Sequence, residues 1–338
     1  MQVLALNYES RKLEFCEMPE PIAPGPGQAL LSIAEVGVCG TDRDLSLFLF
    51  GKPPAGESKL VLGHEAVAQI EAVGADDAGF QKGDWVVPMV RHGCTPACRS
   101  CATRRHDLCV TGGYVERGII GLHGFFAPNV LDATSNLHRI PAEMVDLAVL
   151  VEPLSVVEKA WELARHLHRG DIGNVVVLGA GPVGLLAAFR GMLDSARVTV
   201  VSRESPDSPR VKLLKSAGCE YRVNFDGLKA DVVIEAAGST AAACQALACL
   251  NPLGVMVVLG ARNGSGEIPF LNMIAGNQIL AGSVNSAPHH FTQAINSLGR
   301  MERHVLNSLI ERRGFRQAGE TISSPFHDAV KVVHRLDY

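Results

Sequence analysis

The chain has 338 residues, 47% of them hydrophobic and 20% charged. It is long enough to bury a full core without a disulfide scaffold, and its length suggests two domains. Lys+Arg 31 against Asp+Glu 35 gives a net charge of −4; this argues against a nucleic-acid partner held through phosphates, and with the hydrophobic share it excludes a disordered chain. No apolar run reaches the roughly 18 residues that a membrane span needs, so no membrane partner is expected. The opening, MQVLALNYESRKLEF, has no charged segment followed by an apolar one. It reads as a first strand, and the expectation is a cytoplasmic protein.

Residues 1 to about 150 read as short strands punctuated by Gly and Pro. QALLSIAEVGVCG follows the turn-rich PIAPGPG, AVAQIEAVG alternates and stops at Gly74, and GDWVVPMV is a turn followed by a β-branched strand. Such spacing predicts a barrel-like or sandwich-like β domain. The pattern changes near Glu152. PLSVVEKAWELARHL places apolar residues at helical spacing, with Pro153 where a helix begins. Strands and helices then alternate: NVVVLGA, GPVGLLAAFRGML, ARVTVVS, SPRVKLLKSAG, ADVVIEAAG, STAAACQALACL and GVMVVLGA. The apolar runs are buried parallel strands, and the alternation is that of a doubly wound α/β sheet. After residue 286 come an amphipathic helix, HHFTQAINSLGRM, and a mixed tail ending FHDAVKVVHRLDY. The tail is too short for a third domain and is expected to pack back on the first. The expected domains are therefore 1–152 with 287–338, and 153–286.

Gly179, Gly181, Pro182, Val183 and Gly184 belong to a G-x-G-x-x-G turn that follows a strand and opens a helix. In that context Gly179 permits the tight turn, Gly181 lets backbone approach a pyrophosphate, and Gly184 lets helix and strand pack closely. The helix start attracts the phosphates. The next strand ends in Ser202 and Arg203, which suit the 2′-phosphate of NADP. Glu204, one place later, keeps NAD as a second cofactor.

Four of the nine cysteines, Cys94, Cys98, Cys101 and Cys109, share one loop. Clustered thiols in a reducing compartment read as metal ligands, here a closed structural zinc site. Cys39 in GVCGTD, His64 and Glu65 in LGHEAV, and Glu152 in LVEPLSV form a dispersed set of sulfur, nitrogen and oxygen donors that zinc accepts. Cys16, Cys219, Cys244 and Cys249 read as structural, the last two in a helix, and His289 and His290 as surface residues, with a place lining the cleft as the alternative.

Together GVCGTD, GHE, the four-cysteine loop and GAGPVG, in that order, resemble the zinc-containing medium-chain alcohol dehydrogenase superfamily over essentially the whole chain. EPLSVVEKA, GSVNS and the stretch from Cys109 through Glu116 are similar to its glucose 1-dehydrogenase group. One departure is the first gap of the cysteine loop, three residues where the family usually has two. The resemblance implies an α/β architecture, a GroES-like β-rich catalytic domain plus a Rossmann domain. It implies two zinc ions per chain, the catalytic one surrounded by Cys39, His64, Glu65 and Glu152. Thr41 would sit beside the reacting oxygen, with Asp42 orienting a neighbour. Glu116, Glu152 and Asn285 would meet the sugar, and Ala237, Gly238, Leu259, Gly260, Val284 and Asn285 would complete the cofactor contacts. The implied reaction is NAD(P)-dependent oxidation of an aldose, glucose or a close epimer, at C1. The alternatives are a polyol, secondary-alcohol or threonine dehydrogenase and, in another class, a non-catalytic NADPH-binding protein. A homo-oligomer, dimer or tetramer, is expected, with NQILAGSVN offering an edge for pairing.

Overall fold

The computed structural model describes residues 1–75, 78–260, 264–324 and 329–336. Ala261, at the end of the expected strand 254–261, and residues 326–328 and 337–338 of the expected tail lie outside the described residues. The chain divides into two units. One comprises Met1–Glu152, Ser286–Ile295 and Leu306–Tyr338; the other comprises Pro153–Asn285 and Asn296–Val305.

In the first unit the strand Gln28–Gly37 is the organising element. Its alternate side chains Ala29, Leu31 and Ile33 are buried, as period-2 patterning requires of a half-buried strand. A register shift between Ile33 and Glu35 then turns Val36 inward as well. Glu65–Val73 and Lys331–Arg335 both pair antiparallel with it. Trp85–Pro88 and Leu137–Arg139 extend the sheet on one side and Ile310–Gly314 on the other, while Asn129–Ala133 also pairs with Gln28–Gly37. The core gathers Leu4, Leu31, Val36, Phe125 and Phe126, each contributing about 1.5–3 kcal/mol by leaving water. Register now decides where chemistry can sit. Gly37 lies opposite Glu65 on one side and Val333 on the other. One end of the sheet therefore collects Glu65, the start of the tail strand and the turn carrying Cys39.

The second unit holds six parallel strands, in the order Glu220–Arg222, Arg197–Val201, Asn174–Leu178, Ala230–Glu235, Leu250–Val258 and Ile279–Gly282. Val175, Val176, Val177 and Leu178 are all buried, which explains their unbroken apolar run. The helix Val151–Leu167 follows directly on the 3-10 segment Ala142–Leu150. It thus starts before Pro153, which still falls in the first turn, where its missing N–H costs nothing. The helix Thr240–Leu247 is shorter than the sequence suggested. Cys249 lies beyond it, just before Leu250–Val258.

The C-terminal segment is more divided than expected. Asn296–Val305 goes with the second unit rather than the first, because Ser297 Oγ donates to Glu158 Oε1 at 2.5 Å and Arg300 Nη2 donates to Leu193 O at 3.2 Å. No helix among the described residues is long and apolar enough to cross a membrane.

Candidate active site

Cys39 caps the short helix Gly40–Ser46. Thr41 N–H donates to its sulfur at 3.2 Å, and Asp42 Oδ2 accepts the Cys39 N–H at 2.9 Å. Across the sheet end, His64 Nε2 lies 3.0 Å from Cys39 Sγ. Donor atoms of Cys39, His64 and Glu65 all fall within 4.8 Å of one another. Asp42 Oδ1 stands 3.4 Å from His64 Nδ1; a carboxylate behind a ligating imidazole fixes which nitrogen faces the donor set.

Electrostatics separates these groups. Burial alone would push His64 down, but Cys39 and Asp42 on either side raise its imidazole well above the ordinary value. Burial opposes charge on Asp42 too, and the neighbouring His64 with the Cys39 N–H holds its carboxyl below the usual range. Glu152, buried in the first turn of Val151–Leu167, is not among the three tightly grouped donors. Burial, reinforced by nearby Glu65, pushes its carboxyl up to about 7. Such a set attracts positive charge strongly, and its sulfur, imidazole and carboxylates are the donors zinc takes. The spacing has little slack. A Cβ on Gly37 would stand 2.4 Å from Glu65 Oε2 and 2.9 Å from Lys331 Cε. Lys331 itself is buried and ion-paired with the Glu65 carboxylate.

The four-cysteine loop forms a second donor group. Sulfurs of Cys94, Cys98, Cys101 and Cys109 lie within 4.8 Å of one another, with Cys98 and Cys109 3.9 Å apart. Four sulfurs about 2.3 Å from a tetrahedral zinc stand at nearly that separation. The longer first gap still brings in Cys94, whose sulfur accepts the Cys98 N–H at 3.2 Å. Backbone N–H donors at Cys101 and Val110 lower the Cys98 thiol to about 6. The Thr111 hydroxyl leads in lowering Cys109 to about 7, whereas burial pushes Cys101 up to about 12.

In the second unit Gly179 adopts φ +97°, and a Cβ at Gly184 would collide with Gly179 O at 2.0 Å. Gly181 faces open space at the start of the helix Pro182–Met192, where no side chain caps the amides. Three properties suited to a phosphate cradle thus fall on three glycines. Beyond Arg197–Val201, Ser202 Oγ lies 3.2 Å from Tyr221 Oη and Arg203 is exposed. Glu204 is ion-paired with Arg210 at 3.0 Å, so the carboxylate that kept NAD as a second cofactor is already engaged.

Ala237 and Gly238 owe their turn to Glu235, a residue the sequence reading passed over. Its buried Oε1 accepts their N–H groups at 2.9 and 2.7 Å, and its carbonyl accepts those of Leu259 and Gly260. An acid ending an otherwise apolar strand was its signal. Val284 O accepts from Lys159 Nζ at 2.9 Å, and Asn285 sits at φ +59°. Glu116 is buried and takes Arg91 Nε at 2.9 Å and Nη2 at 2.8 Å on one oxygen. His290, expected on the surface, is fully buried and accepts the Ala287 N–H at Nδ1.

A family profile described as "Alcohol dehydrogenase GroES-like domain" matches residues 25–142, and one described as "Glucose dehydrogenase C-terminus" matches residues 145–336. The chain belongs to the glucose dehydrogenase family. Its relatives include glucose 1-dehydrogenase of Thermoproteus tenax, 37% identical over 341 residues and 95% of each chain. Glucose 1-dehydrogenase 1 of Vulcanisaeta moutnovskia is 39% identical over 294 residues and 83% of each. Among solved structures, Haloferax mediterranei glucose dehydrogenase in complex with NADP, Zn and gluconolactone matches with TM-score 0.91 at 28% identity, covering 100% of both chains. The protein is thus an oxidoreductase of the zinc alcohol dehydrogenase type, with a GroES-like unit and a parallel-sheet, Rossmann-like unit.

Proposed function

We propose that this chain oxidises an aldose, glucose or a close epimer, at C1 to the aldono-lactone, with NADP as the preferred hydride acceptor. The observation that carries the reading is the convergence of Cys39, His64 and Glu65 on one sheet end. The gluconolactone in the Haloferax structure is the lactone that C1 oxidation of glucose yields. Cys39, His64, Glu65 and Glu152 would hold a zinc ion, which supplies Lewis-acid polarisation of the reacting hydroxyl when bound. A second zinc would be held by Cys94, Cys98, Cys101 and Cys109 as a structural clamp on their loop.

The chain's own residues do the rest. Asp42 keeps the His64 Nδ1 side occupied so that Nε2 faces Cys39. Thr41, tied by its N–H to the same sulfur, would pass the substrate's proton outward through its hydroxyl. Glu116 would take a sugar hydroxyl. Gly179, Gly181 and Gly184 would hold the pyrophosphate of a bound cofactor, next to the turn braced by Glu235. NADP, when bound, would supply the acceptor for the hydride from C1.

Steady-state kinetics on glucose, galactose, xylose, sorbitol and threonine with both cofactors tests this reading. An aldose with NADP should give the highest kcat/KM; faster turnover of sorbitol or threonine would replace it. Arg203→Ala should weaken NADP by about 10- to 100-fold, the worth of a charge-assisted bond to phosphate, and leave NAD nearly unchanged.

We also propose a homo-oligomer paired through Ile279–Gly282. That strand bonds Leu250–Val258 on one side, and no strand among the described residues bonds its other side. The adjacent helix Phe270–Gly276 buries no residue and exposes Phe270, Leu271 and Ile274. An open edge beside apolar side chains favours a second copy. Leu271→Asp with Ile274→Asp should yield monomers in sedimentation experiments.

A further inference from the structure

In a doubly wound sheet of this kind, the end of the strand after the glycine turn faces the adenosine ribose. An acid there accepts the 2′-hydroxyl of NAD, and a cation suits the 2′-phosphate of NADP. Beyond Arg197–Val201 this chain carries both, Arg203 and Glu204 side by side. Arg203 is exposed, whereas Glu204 is held at three points. Its N–H donates to Ser202 Oγ at 3.2 Å, its carbonyl lies 2.5 Å from the Tyr221 hydroxyl, and its Oε1 takes Arg210 Nη1 at 3.0 Å. Arg210 stands in the first turn of the helix Pro209–Ser216, where a cation works against the helix dipole. Its side chain is nevertheless more buried than the carboxylate it grips, 14% exposed against 33%. The ion pair, and not the helix, accounts for an arginine at this place.

We propose that Arg210 is a positioning residue that sets cofactor selectivity through Glu204: it engages the carboxylate that would otherwise take the ribose of NAD, and cancels its charge beside the 2′-phosphate of NADP. The inference rests on the reading of NADP as the preferred acceptor. With the pair intact, the 2′ position meets Ser202 and Arg203 while the neighbouring carboxylate is occupied. With Arg210 gone, Glu204 repels a phosphate and accepts a hydroxyl. Loss of one cation should therefore move the two cofactors in opposite directions. An arginine with a purely structural role would weaken both, and one that bonds the phosphate itself would weaken NADP whether or not Glu204 is charged.

The test is calorimetric titration of NADP and of NAD into the full chain, as wild type, Arg210→Gln, Glu204→Gln and the double variant. Other charges of this corner, among them Arg203, Asp207 and Arg222, are present in all four proteins and cancel in the comparison. Arg210→Gln should bind NAD about tenfold more tightly and NADP about tenfold more weakly. Removing both charges together should return both cofactors to within about threefold of wild type. A double variant that binds NADP as weakly as Arg210→Gln would make Arg210 a phosphate ligand and overturn the proposal. Parallel weakening of both cofactors in Arg210→Gln would overturn it too. So would a loss of NAD binding in Glu204→Gln alone, which would put the carboxylate on the ribose already and needs no substitution of Arg210. Wild-type protein that binds NAD more tightly than NADP would instead defeat the cofactor reading from which the inference starts.

Discussion

The two donor groups in the first unit are built in opposite ways. The four cysteines come from one loop and are chemically alike. The other group draws Cys39 and His64 with Glu65 from separate parts of the chain and mixes sulfur, nitrogen and oxygen, with Glu152 outside the tight grouping. It also has a buried carboxylate behind its imidazole and a buried lysine against Glu65. A closed set of like donors stabilises a loop; a mixed, supported set serves chemistry. The contrast predicts that damage to one group appears as lost stability and damage to the other as lost turnover.

The sharpest break in that contrast is His64→Ala. It should cut kcat/KM for glucose by roughly 10³-fold, several kcal/mol of lost charge stabilisation, while the melting temperature moves little; a large drop in melting temperature with turnover retained would reverse the assignment. Next comes Cys98→Ser. It should lower the melting temperature clearly in a calorimetric scan, because binding energy at a structural site is folding energy, and kcat measured well below the transition should stay within about threefold of wild type.

Asp42→Asn probes the support rather than the ligand. It keeps the shape but removes the charge behind His64, and 10- to 100-fold is the expected loss in zinc affinity or activity. The smallest effect concerns Glu152, whose folded-state carboxyl titrates near 7 against an ordinary 4.5. A raised pKa means that the fold favours the protonated form. In metal-free protein its stabilising contribution is therefore complete below about 4.5 and lost as pH rises through about 7. Glu152→Gln should flatten that decline in melting temperature between pH 4.5 and 7.5, and an unchanged slope would show that Glu152 is not its source.

Legibility in the sequence follows the same divide. The α/β class, the GroES-like and Rossmann-like architecture and the family could be read from strings that are local: the cysteine spacing, the glycine turn after an apolar strand, and GVCGTD with LGHEAV. Lys331 could not. Its position depends on Lys331–Arg335 returning to pair with Gln28–Gly37, a contact nearly 300 residues away in sequence, and a lysine before two valines looks like any strand end. Glu235 and Arg91 were hidden for a related reason. Each acts through a partner, the turn amides for one and Glu116 for the other, and single-residue patterns do not show pairs. His290 failed because an amphipathic helix does not say which neighbours cover its polar residues.

The central claim is that the group built around Cys39 holds the ion that oxidation requires. Zinc content per chain, measured together with NADP-linked glucose oxidation in wild type, Cys39→Ser and Cys98→Ser, tests it most directly. The account predicts two, one and one zinc ions, with oxidation abolished only in Cys39→Ser and NADP still bound there. A Cys39→Ser protein that keeps both ions, or turns over glucose at the wild-type rate, would contradict it.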